Sequence, residues 1–178
     1  MGRSGRQAAG DWKRNTEYEK DRDYLACVRD ILDSGIFQSM DQYVQHGATT
    51  CREHCLQVSY LTYRICRDRG WDARAGARAG LLHDFFLYDW HTHARDTGNR
   101  FHGLTHPRTA RDNAVRWFQI SEKEQNLILR HMWPLTPVPP RYKEGFALLY
   151  ADKVCTAAEV AAQAGAAFAM ALRPRQLG

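Results

Sequence analysis

No run of eighteen apolar residues occurs in the 178-residue chain, so no segment reads as a membrane-spanning helix. The opening Met1-Gly2-Arg3-Ser4-Gly5-Arg6 lacks an apolar stretch, and no signal peptide is expected from it. Cysteine is scarce and odd in number. The five residues lack the regular spacing of a secreted disulfide scaffold, and most sit among helix-forming apolar neighbours, as buried thiols of a reduced compartment do. A cytoplasmic setting is the expectation. Cys51-x-x-x-Cys55 shares one helical face but no second thiol pair follows, so packing is the stronger reading than zinc. Strand-like alternation and internal repeats are absent as well. Lys, Arg and the aromatics are scattered and form no recognisable nucleic-acid module, which argues against a DNA or RNA partner.

What is present suits one helical domain. The length supports a single substantial core, and 44% apolar residues exclude wholesale disorder. A net charge of +5 serves solubility or attracts an anionic substrate such as a phosphate ester. Residues 1–16 read as a flexible leader and 17–178 as the folded domain. Apolar residues at helical intervals predict a helix from Glu17 to about Asp33, with a connector from Ser39 to Gly47. Thr49 or Thr50 caps a long helix ending at Gly70, with Glu53 placed for a capping box. Asp72 starts a helix that runs to His83-Asp84. After a loop of about Tyr88 to Leu104, Thr105-His106-Pro107 opens the next helix, its proline in the first turn. Ser121, with Glu124, caps another. Four prolines make 134–140 an extended loop, and Lys143 to about Leu172 is one long helix. The fold class is all-α, about six or seven helices.

The chemistry gathers on histidines and aspartates. His83-Asp84, within Arg78-Ala79-Gly80-Leu81-Leu82-His83-Asp84-Phe85-Phe86, offers a nitrogen and an oxygen ligand to one cation. His54 shares a stripe with Val58, Leu61 and Ile65, and His131 follows Leu127 and Ile128 at i+4 and i+3, so both point inward. Asp152 lies on the stripe of Leu148, Leu149 and Cys155. A buried carboxylate there needs a cation or a strong hydrogen-bond partner. Lys153 stands next to Asp152, and Arg108, Arg111 and Lys143 are further basic side chains, each equally readable as a solvated surface charge. His46, which precedes the first metal helix, and His91, His93 and His102 on the long loop are candidate substrate contacts.

The order His54, His83-Asp84, His106, His131, Asp152 on successive helices resembles the HD superfamily of metal-dependent phosphohydrolases, over about Thr50 to Glu159. The resemblance implies a first metal on His54, His83, Asp84 and Asp152, and a second on Asp84, His106 and His131. His106-Pro107-x-x-Ala110 is similar to the His-Pro-x-x-Gly/Ala-Ala pattern of binuclear members, although Arg111 departs from it. The implied cofactor is one or two divalent ions among Mn, Fe, Co, Ni and Zn. The implied reaction is hydrolysis of a phosphomonoester or phosphodiester, of a nucleotide or related small metabolite, by metal-activated water that Asp84 orients, with Lys153 first and Arg108, Arg111 and Lys143 after it as candidates to neutralise the phosphoryl oxygens. The chain lacks the Gly-Tyr-Pro signature of the cyclic-dinucleotide branch. Two alternatives share the ligand order or the scaffold: a mixed-valent di-iron oxygenase and a non-catalytic, metal-stabilised regulatory domain. Self-association through the Ala-rich end is possible on sequence grounds, with core packing the default.

Overall fold

The computed structural model describes residues 17–46, 49–90, 92 and 101–171, with backbone alone for His46, His102 and 166–171. The leader 1–16, His91, His93, most of the 88–104 loop and the His46 and His102 side chains lie outside the described residues. Among those described, seven helices run in order: α1 Arg22–Leu32, α2 Gly35–Gln38, α3 Cys51–Asp68, α4 Ala73–Leu82, α5 His102–Trp117, α6 Glu122–Arg130 and α7 Lys143–Ala171. The all-α expectation holds.

The sequence of α4 dictates its place. Every residue from Ala75 to Leu82 is buried, and a helix enclosed on all sides needs small side chains where neighbours come close. α4 packs against α1, α3, α5, α6 and α7. The closest approach is at Gly80, where a Cβ would stand 2.5 Å from the Ser59 Cα on α3. Ser59 closes that crossing by donating to the Ala77 carbonyl at 2.7 Å. A large side chain is tolerated at Arg78, 2% exposed, because its guanidinium is fully engaged. It reaches Asp30 at 2.5 Å, Glu124 at 2.8 Å and the Gln119 carbonyl at 3.0 Å, tying α1 and α6 to the central helix.

The helix boundaries follow local chemistry. Thr50 and Ser121 form the expected capping boxes with Glu53 and Glu124, and Asp72 accepts from the Ala75 N–H. Gly70 takes φ +63° just past α3, a conformation that favours glycine. Three expectations need correction. α1 begins at Arg22 rather than Glu17, because Asp21 caps it by accepting from the Tyr24 N–H, and Glu17–Glu19 form a separate 3₁₀ turn. The connector 39–47 holds a 3₁₀ turn over Ser39–Gln42 and a short antiparallel ribbon, β1 Val44–His46 against β2 Thr49–Thr50. α5 begins at His102, one turn before the expected Thr105, which puts Pro107 in its second turn. A proline there forgoes only one backbone bond, so an extra N-terminal turn is tolerated.

Candidate metal centre

Four elements end or pass beside the C-terminus of α4, and each delivers a ligand-type side chain. His83 is the C-cap of α4 and Asp84 follows it; His54 comes from α3, His106 from α5, His131 from the C-cap of α6 and Asp152 from α7. All four histidines and Asp84 are buried, and Asp152 is nearly so. The six residues named from the sequence therefore converge in space. His54, His83 and Asp84 bring ligand atoms within 4.8 Å of one another, and so do Asp84, His106 and His131. These groups can hold a metal ion.

The imidazoles are set by a repeated device. His83 donates Nδ1–H to the Gly80 carbonyl at 2.8 Å, and His131 donates Nδ1–H to the Ile128 carbonyl at 2.7 Å. Each bond satisfies a carbonyl left over at a helix C-terminus, and each leaves Nε2 as the lone-pair nitrogen facing the cluster. His54 turns Nδ1 to Glu159 at 3.0 Å and 3.2 Å, so its Nε2 also faces inward. His83 Nε2 is buried without a hydrogen-bond partner among the described residues. A buried acceptor left so costs about 1–3 kcal/mol, which a cation would offset.

The spacing suits such an ion. His54 Nε2 lies 3.3 Å from Asp152 Oδ1, and His83 Nε2 lies 3.6 Å from Asp84 Oδ2 and 3.8 Å from Asp152 Oδ1. Nitrogen and oxygen ligands each about 2.1 Å from one ion stand roughly 3–3.5 Å apart. On the other side, Asp84 Oδ1 is 3.2 Å from His106 Nε2 and 3.6 Å from His131 Nε2, with the two Nε2 atoms 2.9 Å apart. Asp84 thus turns one oxygen to each group.

Electrostatics follow the same geometry. Burial pushes the Asp84 carboxyl up, but the imidazoles of His83, His106 and His131 outweigh it and hold it well below the usual carboxylate range. Burial also opposes charge on Asp152, yet His54 and its neighbours bring it down to about 2. His131 is pushed down to about 3 by burial and the adjacent His106 and His83. For His54 burial favours the neutral ring, but Asp152 and Glu159 overcome it and raise it to about 10.

Two contacts escaped the sequence reading. Glu159, 3% exposed, sits behind His54 one helical stripe along from Asp152, at i+7. That spacing was a usable signal. Gln45, on β1, donates to Asp84 Oδ2 at 2.6 Å while its own Oε1 accepts from the Cys51 thiol at 3.0 Å. The expected contact there was its neighbour His46. Nothing in the sequence marks the ribbon that brings Gln45 over Asp84. Both Cys51 and Cys55 are buried free thiols, in keeping with a packing role.

A cavity of about 400 Å³ opens onto Asp84, His106, His131 and Asp152, with Trp90, Met132 and Thr156 on its walls. Lys153 lines it too. The other three candidate cations do not. Lys143 lies 5.2 Å over the Trp71 ring, nine residues and about 14 Å along α7 from Asp152. Arg111 pairs with Asp112 at 2.7 Å, and Arg108 is exposed away from the lining. Of the four basic side chains singled out in the sequence, only Lys153 lines the cavity among the described residues. Compared with protein-family models, with curated proteins and with solved structures, the chain finds no match.

Proposed function

We propose that the protein is a metal-dependent phosphohydrolase that cleaves a small phosphomonoester or phosphodiester by attack of water. One observation carries the reading: a single buried carboxylate, Asp84, stands between two histidine groups on the floor of an open cavity, with one ammonium group, Lys153, on its wall. The first ion would be held by His54, His83, Asp84 and Asp152, and the second by Asp84, His106 and His131. The donor set of imidazole and carboxylate, without thiolate, suits Mn, Fe, Co, Ni or Zn. When bound, such a pair acidifies water and neutralises phosphoryl oxygens.

The chain's own groups do the rest. Asp84 orients the nucleophilic water, its own direction fixed by the Gln45 amide. Lys153 presents positive charge to the non-bridging oxygens as negative charge builds on them. The Nδ1 anchors on Gly80, Ile128 and Glu159 keep three imidazoles from turning as substrate enters. Trp90 and Met132 narrow the cavity and displace bulk water beside the reacting group. The chemistry is that of a small anionic substrate, and no helix among the described residues is long and apolar enough to cross a membrane.

The test is phosphate release from a panel of nucleotide and sugar phosphates by the Mn²⁺-loaded protein and its Asp84→Ala variant. Release by the wild type that drops by about a thousandfold or more in the variant is the expected result. Equal turnover in both rejects the assignment of Asp84.

A further inference from the structure

Around α7 the lining side chains change character within one turn. Asp152 and Thr156 face the metal cavity, Tyr150 and Val154 face a second depression, and Lys153 and Ala157 line both. At 100° per residue these positions make one continuous arc: Asp152 and Thr156, then Lys153 and Ala157, then Tyr150 and Val154. The loop after α6 repeats the division, with Met132 in the metal cavity and Trp133 in the second depression.

The second depression has a volume of about 380 Å³. Trp133 stands edge-on to Phe146 there, their rings 6.1 Å apart, with Leu149 beneath. Lys153 is its single charged lining residue among those described. Phe146 and Tyr150 remain 47% and 61% exposed, so this apolar surface is open to solvent beside a polar cavity. A joined apolar patch of that kind marks a place where a ligand is held.

We infer that this groove receives the apolar alcohol part, alkyl or aryl, of a phosphate ester whose phosphoryl group lies in the metal cavity. The inference rests on the phosphohydrolase reading for the head group, and the adjacency of the two cavities, which share Lys153 and Ala157 as lining residues, supplies the direction of the tail. Burial of a charged phosphoryl group against Trp133, Phe146 and Val154 is unfavourable, and so is an alkyl chain among the carboxylates. The amphiphile therefore binds in one orientation, with the Lys153 ammonium at the junction.

The experiment titrates n-alkyl phosphates from ethyl to octyl, and the matching n-alkanols, into the Mn²⁺-loaded full-length protein by calorimetry, with phosphate release followed in parallel. All ligands are kept below their aggregation concentrations. Each added methylene is expected to tighten binding by about two- to fourfold until the groove is filled. Tyr150→Ser and Phe146→Ser replace exposed side chains and are expected to flatten that dependence, with folding checked by thermal melts. A steep series in the wild type that both folded variants leave unchanged overturns the inference. So does a flat series with phosphate released from short and long esters alike, which leaves the phosphohydrolase reading standing. Chain-length-dependent binding of the alkanols, lost in the variants but without phosphate release from any ester, supports the groove and removes the hydrolase. A flat series from a protein that sediments as a dimer assigns the apolar face to a second copy and likewise overturns the inference.

Discussion

His54 and Glu159, 105 residues apart in the chain, are joined by a bond of 3.0 Å between the buried imidazole Nδ1 and carboxylate Oε1. That contact decides which nitrogen of His54 faces Asp152. It also keeps a second negative charge behind the ligand, which strengthens the imidazole as a donor.

Removal of that carboxylate is therefore expected to weaken metal binding without removing a ligand. Glu159→Ala should lower affinity for Mn²⁺ by about 10- to 100-fold in a competition titration against a chromophoric chelator. Glu159→Gln keeps an acceptor oxygen and should fall between the two. An affinity unchanged in the alanine variant would show that His54 is held by other contacts.

The charge on His54 has a pH signature in the metal-free chain. Its folded-state value is raised from about 6.5 to about 10, with Asp152 and Glu159 overcoming the opposing effect of burial. A raised value means that the stability it contributes is fully present below about pH 6.5 and is lost as pH rises through about 10. Denaturation of the metal-free protein should show that decline, and it should vanish in the Glu159→Ala and Asp152→Asn double variant. Because a ligand must be deprotonated, metal uptake at pH 8 should release about one proton from His54. Calorimetry in buffers of different ionisation enthalpy measures that number directly.

Much of this centre was legible in the sequence because helical spacing is rigid. His54 and His131 could be placed inward from the apolar residues that share their stripes, and the structure keeps His54 and Val58 buried while Leu61 and Ile65 are only half-buried. The capping residues Thr50, Asp72 and Ser121 were readable because each cap is a bond between near neighbours in the chain. Gln45 was not readable, since its position depends on a ribbon of five residues that pairs through backbone groups. Nor were the idle basic side chains: charge says nothing about direction, and Lys143 turns to Trp71 while Lys153 turns to the cavity. The early start of α5 is not readable either, because the first turn is the commonest place for a helical proline and Pro107 sits in the second.

The α3–α4 crossing sets how close His83 stands to His54, and Gly80 is its narrowest point. A methyl group there meets backbone, not the end of a flexible side chain. Gly80→Ala is expected to destabilise the fold by about 1–3 kcal/mol in denaturant titration and to lower metal affinity as well. Full metal affinity in this variant would mean that the helices part without moving the imidazoles.

Arg78 makes a separate, structural statement. Arg78→Met leaves Glu124, 5% exposed, without its guanidinium partner, and about 3 kcal/mol of stability should be lost. Adding Glu124→Gln removes the stranded charge and should recover part of that loss in the same denaturation assay. Metal content should be unaffected in the folded variants, because neither residue lines the cavity.

The proposal of two ions sharing Asp84 is tested most directly by counting metal. The protein and its His106→Ala variant are stripped, reconstituted with Mn²⁺, freed of excess metal, and analysed for metal per chain. About two ions are expected in the wild type and about one in the variant, with His54, His83, Asp84 and Asp152 keeping theirs. Equal content in both proteins would contradict the second site, and no uptake by either would contradict the metal centre itself.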